Sequence, residues 1–543
     1  MKKGINILFI ICGLLQEAVA QNKKFAVFFN QKLQGNPYSI SSPQEFLSAR
    51  SIQRRQNQIL PLDSTDLPVI PSYLNSIRAT GASVLYQLRW LNGAIVDCNE
   101  SQFQAIIALP FVTNGSPLNA RITGSPVRNL PKSGVQSLEY GQSASQNSQL
   151  DLDSMHSWGY HGEGKLIAVM DAGFRNVHTH AAFAHLFQNQ KLKGIRDLVD
   201  RDNDVFLDHP HGTTVLSNIA AFLPGSIIGG AYAADFFLIR SEDAATENEI
   251  ECAYWVAGLE LADSIGADVV NSSLGYTTFD TPSLNYTYSS LNGETSLASK
   301  AASMAASKGI IVVNSAGNEG SNSAWGGWIS VPSDAKNILT AGAADVSGML
   351  AGFSGKGPTS DGRIKPDLIA MGSGTTVVNA FSSNGITTSN GTSFSAPMLT
   401  GLVAGFWQAH PEKAALDVIN LLKNSGSNRE TPNSSIGWGL PSFIRAHINA
   451  GANPNLAFPV EVKVYPNPAL GNEIVLSCLP TNINKPLNYQ LFDSMGKKIR
   501  NGIFNQSSEQ AEVRLPTSGY RAGTYFLEIS NDKGSMRKKI ILN

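Results

Sequence analysis

The sequence predicts an α/β protein built on a parallel sheet, with an α+β unit in front of it and a small all-β sandwich behind. Three observations carry this expectation. Between residues 150 and 448, short apolar runs without polar alternation recur with helix-like stretches between them. Strands that are apolar on both faces and alternate with helices belong to a parallel sheet covered on both sides. Before residue 112, strand-like and helix-like segments mix without that regularity, and after 460 apolar and polar residues alternate with the period of a half-buried strand. The 543 residues suit several domains of about 150 residues each. A composition 42% hydrophobic and 15% charged supports large cores and excludes global disorder.

In chain order, residues 1–20 read as a signal peptide. Lys2 and Lys3 precede an apolar stretch over 5–15, broken only by Asn6, and Ala18-Val19-Ala20 fits a small-x-small cleavage site. A stretch of about eleven residues is too short to span a bilayer core of about 30 Å. No later stretch reaches about 18 apolar residues, so the mature protein is expected to have no integral membrane segment. In the α+β unit, 23–112, a buried strand is expected over 25–29, a helix over 43–58, a strand over 84–97 and a helix over 100–109. A linker rich in Ser, Gly, Asn and Pro covers 113–149. The α/β unit, 150–448, has its apolar runs at 166–170, 236–239, 269–270, 310–313 and 338–341. A second linker, 449–459, contains Pro454 and Pro459. The sandwich, 460–543, has alternating segments at 473–476, 489–492, 525–529 and 539–542.

Lys+Arg 41 against Asp+Glu 42 leaves a net charge of -1, which argues against a nucleic-acid partner, because such binding needs a concentrated positive field. Cys12 lies in the signal. Cys98, Cys252 and Cys478 fall one to each later unit, so no intradomain disulfide is expected and the three read as buried thiols.

Three segments carry chemistry. Ala168-Val169-Met170-Asp171-Ala172-Gly173 is a strand that ends on an acid and turns at glycine. His211-Gly212-Thr213-Thr214-Val215 supplies a histidine beside a glycine. Asn390-Gly391-Thr392-Ser393-Phe394-Ser395-Ala396-Pro397 is a loop that enters a helix. A serine hydroxyl becomes a nucleophile when a base takes its proton, and histidine titrates near neutrality. An acid then orients the imidazole and stabilises its charged form. A helix start at Ser393 aims backbone N–H groups at developing negative charge. Each piece alone is commonplace as a turn, a loop or an N-cap; the three together, in the order Asp, His, Ser, point to nucleophilic catalysis. An α/β-hydrolase would need the order Ser, acid, His and a glycine where Ser395 stands.

These segments resemble the subtilisin-like serine protease family over 150–448. The resemblance implies a parallel-sheet catalytic domain, peptide or protein substrates, and Asp171, His211 and Ser393 as catalytic triad. It assigns the Asn318 of Ala316-Gly317-Asn318 to the oxyanion hole, with the Ser393 N–H as second donor. It also assigns Ser273, Leu274 and Gly275 to the strand edge that pairs with substrate, and Ala316 and Gly317 to a pocket wall. An unpaired edge binds extended peptides by strand addition.

His178, His180, His185 and His209 lack a metal-binding spacing and read as local structural residues, with His209 placed to support His211. The run Asp197, Asp200, Asp202, Asn203, Asp204, Asp208 is oxygen-rich, and many enzymes of this family bind calcium. It has no glycine at the sixth position and no closing Glu, so it reads as a solvated acidic loop. No cofactor is required for the chemistry, no metal ligands are assigned, and structural calcium is not indicated by a motif.

The unit 23–112, with Arg89-Trp90-Leu91-Asn92-Gly93-Ala94 as its central strand, resembles the propeptide of this family, which implies a zymogen cut within the linker. In the last unit, Val464-Tyr465-Pro466-Asn467-Pro468, Leu491-Phe492-Asp493-Ser494-Met495-Gly496 and Gly523-Thr524-Tyr525-Phe526 resemble the C-terminal sorting domain of the type IX secretion pathway. That implies export through the periplasm of a Gram-negative bacterium and a secreted or cell-surface product. The alternatives are a catalytically inactive surface adhesin on the same scaffold and an aminopeptidase-like or self-processing enzyme of the same fold.

Overall fold

All five apolar runs of the middle unit become strands of one sheet, and two more strands form its edges. The computed structural model describes residues 22–118, 140–451, 462–469, 473–478, 487–493, 497–504, 511–531 and 534–542. The expected signal peptide, residues 119–139 of the first linker, 452–459 of the second and the Ser494-Met495-Gly496 part of the sorting motif lie outside the described residues.

The sheet comprises β1 Leu166–Asp171, β2 Leu192–Asp197, β3 Asp235–Arg240, β4 Val269–Ser272, β5 Ile311–Ser315, β6 Leu339–Ala344 and β7 Leu368–Met371. Their order is β7-β6-β5-β4-β1-β3-β2, with every neighbouring pair parallel. Alternate residues of β1 explain the missing polar positions. Ile167 and Val169 enter a core with α1 (His211–Ala220) and α3 (Thr392–Ala409). Ala168 and Met170 enter another with α2 (Glu249–Ile265). Each fully buried aliphatic side chain contributes about 1.5–3 kcal/mol. The edge strands escaped the sequence reading. β2 pairs with β3 only, is half-exposed and reads Leu-Lys-Gly-Ile-Arg-Asp. β7 is only four residues long. The strand order reverses at β1, which lies between β3 and β4, so the carboxyl ends of these strands open the crevice where such sheets bind ligands.

The N-terminal unit is a four-stranded antiparallel sheet in the order Ser83–Leu88, Gly93–Cys98, Lys23–Phe29, Val112–Leu118. Phe25, Val27 and Phe29 pack on its own helices Pro71–Ala79 and Glu100–Ile107. Ala26, Leu88 and Ile95 face the core that contains α2. The 25–29 run is apolar throughout because both its faces are covered.

Three expectations change here. The helix expected over 43–58 divides into a 3-10 turn, Pro43–Glu45, and a helix, Ala49–Asn57, because Ser48 caps the latter by accepting the Ser51 N–H at 3.1 Å. The strand expected over 84–97 is a hairpin. Asn92, with φ of 51°, reverses the chain, so Arg89 to Asn92 form its turn and the inner strand begins at Gly93. The linker is shorter than 113–149. Strand Val112–Leu118 completes the first sheet, and helix Ala144–Gln149 belongs to the second unit, where the Gln146 side chain bridges the N–H and C=O of Thr376.

The C-terminal unit packs a three-stranded antiparallel sheet, containing Val462–Tyr465, Glu473–Cys478 and Ala511–Pro516, on a four-stranded one. Leu476 and Leu515 of the first meet Leu491, Leu527 and Ile540 of the second in one core. Among the described residues, Cys98 and Cys252 are buried free thiols, and no helix is long and apolar enough to cross a membrane.

Candidate active site

Asp171 is the last residue of β1 and is fully buried. Its Oδ1 accepts the Ala172 N–H at 2.8 Å and the His211 Nδ1–H at 2.7 Å. His211 opens α1, and Gly212 behind it lets the helix reach β1: a Cβ there would overlap the Gly173 carbonyl oxygen and lie 2.8 Å from Asp171 Cβ. The imidazole, 28% exposed, keeps Nε2 for the cleft. Burial pushes its pKa down, but the charge and hydrogen bond of Asp171 outweigh that and hold it above the ordinary histidine value. His209 accepts the His211 backbone N–H on its Nδ1 at 3.4 Å.

Ser393 lies in the first turn of α3 and is 8% exposed. Its hydroxyl donates to the Ser273 carbonyl at 3.3 Å rather than to the imidazole. Pro397 stands four residues on and has no N–H, so the Ser393 carbonyl lacks its usual helical donor; the Ser273 hydroxyl replaces it at 2.9 Å. Asn318, three residues beyond β5, accepts on Oδ1 from the Thr392 N–H at 2.9 Å and the Thr392 hydroxyl at 3.1 Å. That fixes the amide plane and leaves its N–H₂ group free of these bonds.

One cavity of about 330 Å³ is lined by His211, Ser273, Leu274, Gly275, Gly317, Asn318 and Ser393 together. Two residues expected at the site do not line it: Asp171, buried behind His211, and Ala316; Ala316 alone misses its expected place, the pocket wall. It has no exposed surface, packs in the α2-side core, and uses its backbone to bond Ala341 and Ser330. Strand alternation turns it inward, and Ser315 and Gly317 line the cavity on either side of it.

Residues 162–439, slightly over half of the chain, match the Subtilase family. The chain belongs to this family. Residues 24–131 match the Peptidase S8 propeptide domain of Bacteroidota, and 463–543 match a secretion system C-terminal sorting domain. Subtilisin DY of Bacillus licheniformis is 28% identical over 283 residues, covering 51% of this chain and 89% of that protein. Subtilisin E of Bacillus subtilis is 26% identical over 292 residues, covering 53% and 68%. Subtilisin Savinase of Lederbergia lenta is 26% identical over 287 residues, covering 53% and 92%. This subtilase is therefore a subtilisin-like serine protease made as a zymogen. Its last domain directs it by the type IX secretion pathway to the cell surface or beyond.

The sequence reading of the subtilase cleft missed Glu242, Glu247, Glu319, Ser330 and Thr392, which also line it. The available signal was position: Glu242 follows β3 and Glu319 follows β5, both at carboxyl ends of strands. The remaining histidines sit in local structure. His180 Nε2 lies 3.1 Å from the Gly385 carbonyl oxygen, His185 Nε2 3.0 Å from that of Tyr232, and His178 packs on Phe206. The acidic segment 197–208 is not simply solvated. Arg240, at the end of β3, bonds Asp200 at 2.5 Å, Asp197 at 3.0 Å and Asp208 at 3.2 Å. Among the described residues no cluster of three or more His, Cys, Asp or Glu side chains is arranged to hold a metal ion.

Proposed function

We propose that this subtilase is an endopeptidase that cuts peptide bonds through an acyl-enzyme on Ser393. The observation that carries the reading is the 2.7 Å bond from His211 to Asp171, at a cavity whose wall also holds Ser393 and Asn318. A peptide lies extended along Ser273 to Gly275, adding a strand to that edge. The Ser393 hydroxyl turns from Ser273 O toward His211 Nε2, which takes its proton as Oγ attacks the scissile carbonyl. Asp171 holds the tautomer with hydrogen on Nδ1 and stabilises the imidazolium. The Asn318 amide and the Ser393 N–H receive the oxyanion. The imidazolium then protonates the leaving amine, and water activated by the same ring releases the acyl group. No metal or organic cofactor enters this scheme. Because neutral His211 is the base, acylation falls as pH drops through its raised pKa, and a rate undiminished at about pH 4 counts against that role.

A fluorophosphonate probe tests the reading. The processed protein is expected to be labelled on Ser393, and Ser393→Ala to give none. No labelling after verified removal of the propeptide overturns the proposal in favour of an inactive, adhesive use of the scaffold.

A further inference from the structure

The cavity beside Ser393 is acidic, although the chain as a whole carries a net charge of only -1. Glu242 and Glu247 line one side and Glu319 sits next to Asn318, while no lysine or arginine lines the cavity. Glu319 accepts from Asn322 at 2.6 Å. Neither Glu242 nor Glu247 has a side-chain hydrogen bond or ion pair among the described residues. The nearest arginine in sequence, Arg240, is committed to Asp197, Asp200 and Asp208.

A second observation is independent of charge. Ser330 is 2% exposed, lines the same cavity, and its hydroxyl has no hydrogen-bond partner among the described residues. It stands between two glycines of the wall. A Cβ on Gly275 would overlap Ser330 Oγ, and one on Gly317 would lie 2.7 Å from it. The next residue on each side, Tyr276 and Val331, pair in an antiparallel bridge. A buried hydroxyl without a partner is unfavourable, and a bound donor relieves it.

We propose that the cleft selects peptides carrying a hydrogen-bonding cation, an ammonium or guanidinium group, close to the scissile bond. The inference rests on the protease reading above and adds the substrate class. A cation supplies the counter-charge that Glu242 and Glu247 lack and offers N–H donors to Ser330. Above about pH 8, where both carboxylates are ionised, their field rejects acidic peptides. Burial first, and then neighbouring carboxylates, raise Glu242 to about 8 and Glu247 to about 7, as befits carboxyls without a counterion. The cation has two sources, a Lys or Arg side chain or the α-ammonium of a short peptide.

The test uses the mature secreted protein and quenched peptides that differ only in Lys, Arg, norleucine or citrulline at each position before the cut, with free or acetylated N-termini. The expected result is kcat/KM about tenfold or more higher for the cationic peptides. That advantage shrinks at about 0.5 M salt and falls in Glu242→Gln, Glu247→Gln and Ser330→Ala. Preference that survives acetylation assigns the cation to a side chain; preference lost on acetylation assigns it to the α-ammonium. Binding of the same peptides to Ser393→Ala, followed by anisotropy, reads selectivity without turnover. Equal handling of charged and neutral peptides in both assays, or no peptide binding, overturns the inference. Fluorophosphonate labelling of Ser393 in the same preparation shows whether the protease reading survives that failure.

Discussion

Asp263, near the C-terminal end of α2, and the glutamates before its start hold buried carboxylates in opposite ways. Near its C-terminal end, Asp263 is met by three arginines of the propeptide unit: Arg54 at 2.5 Å, Arg55 at 2.9 Å, and Arg89. Burial alone would raise this carboxyl, but the charges of Arg89, Arg54 and Arg55 outweigh it and hold the group well below its usual range, at about 2. Glu260, one turn earlier, accepts the backbone N–H groups of Arg89 at 2.6 Å and Trp90 at 2.9 Å, yet its burial outweighs these bonds and the charge of Arg89 and holds it up at about 7. Near the helix start, Glu242 and Glu247 face the cleft with no lysine or arginine beside them and stand above the usual range. The lesson is that a carboxylate marks a partner by what it lacks. Asp263 already has its counter-charge from within the zymogen, and the two cleft glutamates wait for one.

Asp263→Ala makes the largest break in this contrast. Removing one member of a buried ion network leaves the others unpaired and costs about 3–5 kcal/mol. Urea unfolding of the full chain, on a Ser393→Ala background, is expected to show a loss of that size; an unchanged midpoint contradicts the assigned role.

The second prediction opposes the two ends by pH. Asp263 has a depressed pKa, so its contribution is present above the unfolded value of about 3.9 and is lost as pH falls toward its folded value. Glu242 and Glu247 have raised values. The folded state therefore holds more protons than the unfolded one, and stability declines as pH rises from about 4.3 through their folded values. The double variant Glu242→Gln, Glu247→Gln should gain on the order of 1–3 kcal/mol relative to wild type between pH 5 and 8. Thermal unfolding across that range checks it, and a gain that grows toward acid pH contradicts the account.

Gly266→Ala sharpens the comparison at the propeptide end. Gly266 ends α2 at φ of 88°, and a Cβ there would lie 2.7 Å from Arg50 Cβ and from the Ser51 nitrogen. The backbone strain is worth about 1 kcal/mol, and overpacking against the propeptide adds about 1–3 kcal/mol. The first part should persist in the processed protein and the second should vanish; equal losses in the two forms contradict the assignment. The smallest effect is expected from an exposed pair, Lys336 with Glu294 at 2.6 Å, whose side chains are 42% and 62% exposed. Lys336→Ala should change stability by less than about 1 kcal/mol in the same unfolding assay.

Much of the molecule was readable from its residues because the relevant information is local. A run such as Leu166-Ile167-Ala168-Val169-Met170 names a strand buried on both faces, and the segments of Asp171, His211 and Ser393, each commonplace alone, state a chemistry by occurring together in that order. Local pattern failed where one residue redirects the chain, as at Asn92, or where a strand is a half-exposed edge, as over Leu192–Asp197. The sequence by itself determined the residue types, the burial periodicities and the order of acid, base and nucleophile. Only the tertiary structure decided which charges meet. It gave Asp263 three arginines, placed Arg240 among three aspartates, turned Ala316 into the core and left Glu242 and Glu247 facing the cleft without a lysine or arginine. The physical reason is that ion pairing and desolvation depend on distances of a few ångströms between residues far apart along the chain, which no local pattern encodes.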